Sequence, residues 1–131
     1  MNNPIPNGKV YIPCVILAIV VFLLLFFSFA KAEDNWKITA YCSCFYCCGK
    51  TDGITASGKS AKYGYIACNW LPFNTIVNIE GLGKFKVMDR GAKSLFGSKK
   101  NHIKHLDVWL PEHNQARKFG VKYLKVEIMK G

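Results

Sequence analysis

Thr75-Ile76-Val77-Asn78-Ile79-Glu80-Gly81-Leu82-Gly83-Lys84-Phe85-Lys86-Val87-Met88 holds two β-rich runs, residues 75–79 and 84–88, joined by a tetrapeptide with two glycines. That is the signature of a β-hairpin. On the N-terminal side, Trp36, Ile38 and Ala40 alternate with Lys37, Thr39 and Tyr41, the two-residue period of a half-buried strand. On the C-terminal side, residues 106–110 form another apolar run, and Leu124, Val126 and Ile128 alternate with Lys125, Glu127 and Met129 in a closing strand. Between them, Pro111-Glu112-His113-Asn114-Gln115-Ala116-Arg117-Lys118-Phe119-Gly120 reads as a short helix. Proline suits its first turn, the two basic residues complement its C-terminal dipole, and Gly120 supplies a left-handed cap. These signals predict an all-β domain, a small barrel or sandwich with one short helix.

The 131 residues carry a net charge of +10, from 18 Lys and Arg against 8 Asp and Glu, and half of them are hydrophobic. That apolar content excludes an intrinsically disordered chain. Much of it is concentrated in residues 10–30, an uncharged run with no amphipathic period. Two readings compete for residues 1–32, a cleaved signal peptide and an N-terminal membrane anchor. Ala30-Lys31-Ala32 offers small residues at a cleavage site that would leave Glu33 as the new terminus, whereas the length of the run suits a bilayer span. Either way, residues 33–131 are expected to be exported, to a secreted or periplasmic location. Residues 1–32 hold two lysines and no acid, so a net +8 remains on the exported domain. Such a field attracts anionic polymers, including cell-wall glycans, or a membrane surface if the anchor persists; no nucleic-acid partner is expected, and the domain is expected to be a monomer.

Five of the six cysteines lie beyond the apolar run: Cys42, Cys44, Cys47, Cys48 and Cys68. Disulfides among them are the primary expectation, with one thiol left over because five is odd. The alternative is zinc held by Cys42, Cys44, Cys47 and Cys48. Cys44 and Cys47 have the gap of a zinc knuckle, but no second pair follows, and vicinal Cys47 and Cys48 suit one tetrahedral ion poorly.

Among the few acids of the domain, Glu33 and Asp34 lie at its start, Glu80 in the hairpin turn, Glu112 at the helix start and Glu127 on the outer face of the last strand. Asp107 is different. It lies within Leu106-Asp107-Val108-Trp109-Leu110, where a carboxylate must be paired, protonated or turned to water on an edge strand. Asp89 precedes Arg90-Gly91 and Asp52 precedes Gly53, both ordinary turn settings. His105 shares the strand face of Asp107, which would let it contact the substrate or that carboxylate, but a solvated histidine among lysines is the primary expectation.

Thr39-Ala40-Tyr41-Cys42, Cys47-Cys48-Gly49, Asp52-Gly53-Ile54-Thr55-Ala56-Ser57-Gly58, Leu71-Pro72-Phe73-Asn74-Thr75, Met88-Asp89-Arg90-Gly91 and Leu106-Asp107-Val108-Trp109 occur in one order along the chain. Together they resemble the 3D domain, a family named for three aspartates. It is found in peptidoglycan lytic transglycosylases of the membrane-bound A type and in secreted bacterial proteins. The resemblance covers about residues 37–129 and implies a six-stranded double-psi β-barrel. It also implies that Asp107 is the catalytic acid and base and Asp89 its supporting carboxylate, with Thr55, Ser57, Lys59, Asn69 and Trp109 at the glycan. The chain departs from the family at Asn69, where an aspartate is usual, and at Asn74, where glycine is usual.

The activity so implied is cleavage of the N-acetylmuramic acid to N-acetylglucosamine bond with a 1,6-anhydro product, needing no cofactor. The rival readings are a non-catalytic glycan-binding module that uses Trp70, Trp109, the tyrosines and the lysines, and a small disulfide or zinc protein that acts on a partner protein.

Overall fold

The computed structural model describes Gly8 and residues 13–26 and 34–129. The chain divides into two units, Met1–Glu33 and Asp34–Gly131. In the first, α1 (Cys14–Phe26) is 13 residues long, about 20 Å at 1.5 Å per residue. No helix among the described residues is long and apolar enough to cross a membrane. The cleavage site expected after Ala32 and both ends of the apolar run lie outside the described residues.

In the second unit the hairpin forms as expected: β3 (Ile76–Ile79) and β4 (Gly83–Asp89) pair antiparallel, with Ile79 opposite Gly83. Gly81 takes φ +77°, the left-handed region that lets the chain reverse here without a Cβ clash. Val77, Ile79, Phe85 and Val87 point inward and are buried, while Asn78, Lys84 and Lys86 lie on the other face. Each such apolar side chain contributes about 1.5–3 kcal/mol by leaving water.

Four further strands complete the sheet: β1 (Asn35–Tyr41), β2 (Tyr65–Ala67), β5 (His105–Trp109) and β6 (Lys122–Met129). They close in the order β1-β5-β2-β4-β3-β6, a six-stranded barrel. The β1/β5 and β2/β4 pairs are parallel and the other four antiparallel. Trp36, Ile38, Ile66, Leu106 and Val108 fill the interior together with the hairpin residues. The β1 alternation is as expected, with Trp36 and Ile38 buried in the core.

Among the described residues, three short helices decorate the barrel rather than one. The expected one is α4 (His113–Phe119), packed against β1 with Ala116 buried. The others are single turns, α2 (Phe45–Cys48) and α3 (Lys93–Phe96). Four residues are too few to display a helical period, so neither turn has a signature in the sequence. Phe96 of α3 is buried, and a Cβ on Gly91 would come within 2.2 Å of its ring, so glycine at 91 is what lets α3 fold down onto the barrel.

Candidate functional site

Two acids face each other across the shortest strand. In β2, Ala67 pairs with Asp107 of β5 on one side and with Asp89 of β4 on the other, where a register shift between Ile66 and Ala67 re-aims the strand. Ala67 is small and buried, so the residue paired with both acids adds only a methyl group to the cleft that they line. The two acids line a cleft of about 510 Å³, walled also by Tyr41, Ser43, Cys47, Cys48, Thr55, Arg90, Leu95 and Phe96. Lys50 and Asp52 line it too, as an exposed ion pair of 3.1 Å. Asp52 otherwise behaves as the expected turn residue, accepting the Ile54 N–H at 2.9 Å.

Asp107 is not on an edge strand, because barrel closure flanks β5 with β1 and β2. Burial pushes its carboxyl up to about 6; the Thr39 hydroxyl bond opposes the rise and the charge of Asp89 adds to it. The parallel β1/β5 register sets Thr39 opposite Asp107. The Thr39 hydroxyl lies 2.8 Å from Asp107 Oδ1 and 2.8 Å from His105 Nε2, and His105 Nδ1 lies 3.2 Å from the Leu95 carbonyl.

His105 is therefore not the solvated histidine expected. It is 4% exposed and stacked at 4.1 Å on Phe96, because α3 covers it. Burial lowers its proton affinity below the ordinary histidine value. With Nδ1–H donating to Leu95, the neutral ring leaves Nε2 as an acceptor. The single Thr39 proton goes to Asp107 Oδ1 while that carboxyl is ionised; when Asp107 is protonated its own O–H can donate to Thr39, whose proton then turns to His105 Nε2, so the chain accommodates both states of the acid.

Asp89 has a contrasting environment. Its Oδ2 accepts the Tyr41 hydroxyl at 2.7 Å, and its Oδ1 accepts the N–H groups of Ala56 and Arg90, both at 2.8 Å. Burial, reinforced by the Asp89 hydrogen bond, raises the Tyr41 phenol far above its usual range and keeps it a donor. Arg90 lies over the Phe73 ring at 3.9 Å and donates to the Cys68 carbonyl, so its guanidinium braces the loop.

The other expected glycan residues divide. Thr55 lines the cleft, but its hydroxyl is committed to the Lys59 carbonyl and to Ser57, each at 2.9 Å. Ser57, Lys59 and Trp109 are not among the cleft-lining residues. Trp109 acts from behind the wall, donating to the Ser43 hydroxyl at 2.8 Å. Trp70, partly buried, is stacked on Trp36 and His102.

Asn69 lies outside the cleft lining. Its amide donates to the carbonyls of Gly91 and Gly97 at 3.0 and 2.8 Å and accepts the Gly91 N–H at 2.8 Å. This clamps both ends of the α3 segment. A carboxylate could keep only the last of these bonds. Asn69→Asp is therefore expected to destabilise the domain by about 2 kcal/mol or more at neutral pH, through two carbonyls left without donors beside a negative charge. Thermal melting checks this, with an expected fall in Tm of roughly 8 °C or more; an unchanged Tm would remove the clamp from the account.

The cysteines form no disulfide among the described residues. The Cys42 and Cys44 sulfurs are 3.1 Å apart, against about 2.05 Å for a bond. Cys68 is fully buried in the core. Cys42, Cys44, Cys47 and His113 bring one donor atom each to within 4.8 Å of one another, a set that could hold a metal ion. The fourth member of that set is His113 rather than Cys48, whose thiol donates a hydrogen bond to the Cys42 carbonyl at 3.1 Å. His113 is read in the sequence only as part of a helix, since 66 residues separate it from Cys47. The chain matches no protein-family model and no curated protein.

Proposed function

We propose that this domain is an exported peptidoglycan lytic transglycosylase of the 3D-domain kind, a double-psi barrel in which Asp107 is the acid and base and Asp89 supports it. The observation that carries the reading is Asp107 itself: a carboxyl in a roomy cleft, across Ala67 from a second carboxyl, held by a Thr39–His105 hydrogen-bond chain that accommodates both of its protonation states. A general acid should hold its proton near the working pH, and burial supplies that here.

In the proposed reaction Asp107 donates its proton to the oxygen linking the two sugars, and the bond from that oxygen to the anomeric carbon breaks. Positive charge develops on the muramic ring beside the negative charge of Asp89. The 6-hydroxyl oxygen of the same sugar then bonds to the anomeric carbon, and its proton passes to the Asp107 carboxylate. The acid is thereby regenerated and a 1,6-anhydro sugar leaves. No water attacks, so the paired-carboxylate spacing of hydrolases is not required. Thr39 and His105 position Asp107, while its burial and the charge of Asp89 favour return of the proton. The net positive charge of the domain draws it to an anionic wall, and residues 10–30 act as its signal or anchor.

The binding-module reading drew its strength from Asn69 as a mark of lost catalysis. That residue clamps Gly91, on the cleft wall, to Gly97, a supporting use that favours neither reading. Incubation of purified sacculi with the chain, followed by mass spectrometry of the soluble fraction, is expected to release anhydromuropeptides. Retention of the protein on sacculi with no such product would leave the binding module and end the enzymatic proposal.

A further inference from the structure

We propose that Cys42, Cys44, Cys47 and His113 bind one zinc ion, which ties the end of β1 to α2 and to the first residue of α4. The donor chemistry is that of a closed structural site, three thiolates and an imidazole with no open position for substrate. The spacing of the atoms agrees. A tetrahedral zinc with these ligands has edges of about 3.8 Å between sulfurs and about 3.5 Å from sulfur to nitrogen. Cys42 Sγ lies 3.1 and 3.5 Å from the sulfurs of Cys44 and Cys47. His113 Nδ1 lies 3.7, 3.3 and 3.5 Å from Cys42, Cys44 and Cys47 respectively.

Hydrogen bonding does not account for this convergence, because an imidazole nitrogen has one proton or one lone pair and faces three sulfurs. A disulfide does not account for it either: it would join two sulfurs and leave the third and the ring nitrogen without a reason to be there. The backbone offers a further observation. Helix α2 is a single turn with no buried residue and no side-chain cap, so apolar packing does not hold it. An ion bound by Cys44 at its start and Cys47 within it would supply the missing restraint. Cys47 and Ser43 also line the cleft, so the same ion would fix one wall of the site that contains Asp107.

The test uses the whole chain, purified without an oligohistidine tag and without chelator. Elemental analysis is expected to find one zinc per chain. Cys48→Ser should retain it, and His113→Ala and Cys44→Ser should lose it. If those two variants fail to fold, the cobalt(II) form of the unaltered protein still decides, since three thiolates and a histidine give tetrahedral ligand-field bands and a thiolate charge-transfer band. A protein that takes up neither metal would overturn the proposal. So would loss of zinc from Cys48→Ser equal to that from His113→Ala, or an intact mass short of two hydrogens from a disulfide within the cluster. None of these readouts depends on glycan cleavage, so the metal site and the proposed enzyme fail separately.

Discussion

Asp107→Asn is expected to lower the release of anhydromuropeptides from sacculi by a factor of about 10² to 10⁴, the range that general acid-base catalysis supplies, while adsorption to sacculi persists. The substitution isolates the proton. An amide has nearly the shape of the carboxyl group, and its NH₂ can donate to the Thr39 hydroxyl, which remains free to donate to His105. The barrel and the cleft should therefore be retained. What is lost is the ability to protonate the linking oxygen and then to accept the proton of the 6-hydroxyl. Adsorption rests on the positive charge of the domain, which the substitution leaves unchanged where Asp107 is protonated and raises by one unit where it is ionised. Product release measured at saturating sacculi separates the two effects, and a variant that retains near-normal release would remove Asp107 from the chemistry.

The same substitution is expected to stabilise the fold at neutral pH. The Asp107 carboxyl titrates at about 6 in the native protein, against an ordinary value of 3.8, because burial disfavours its charge. A carboxyl raised in this way favours the native state in its neutral form. That contribution is complete below the unfolded value near 4 and is lost as pH rises towards 6, the window in which the native state binds more protons than the unfolded one. Above this window both states are ionised and the loss is constant. A shift of about two pH units corresponds to about 3 kcal/mol. Asp107→Asn escapes the loss. The two proteins should have similar stability at pH 4, diverge between pH 4 and 6, and differ by about 2–3 kcal/mol at pH 7, the variant being the more stable. Urea unfolding of both proteins across that range tests the sign directly, because the other carboxylates cancel in the difference. A difference that does not change with pH would show that the carboxyl is not held neutral by its surroundings. A residue whose removal stabilises the protein while abolishing its activity is one whose strained environment serves function.

The zinc proposal bears on both experiments. Cys47 and Ser43 form part of the cleft wall, and Ser43 is held from behind by Trp109. Chelation would loosen that wall without touching Asp107, Thr39 or His105. Both unfolding series therefore belong at one fixed metal content, since a ligand bound only to the native state shifts stability by mass action.

Local pattern along the chain was enough to identify β1 and β6 by their alternation, the β3/β4 hairpin by two β-rich runs about a glycine turn, β5 by its apolar run and α4 by its proline, basic and glycine end signals. It was also enough to single out Asp107, as a charge within an apolar strand. Local pattern could not reveal β2, which has three residues, or α2 and α3, which have four each. These are the elements that build the site. β2 separates the two acids, α3 buries His105, and α2 presents the cysteines. Closure of the barrel converted an apparent edge strand into one flanked on both sides, and that closure raises the proton affinity of Asp107 through burial.

By itself the sequence determined a basic all-β domain behind an apolar segment, with a few conspicuous acids and a dense group of cysteines. Only the tertiary structure decided who meets whom. Thr39 reaches Asp107 across 68 positions, His113 reaches Cys44 across 69, and Asn69 reaches Gly97 across 28. Such contacts leave no trace in local spacing, because the partners are joined by strand register and loop closure, and those follow from burying one shared core.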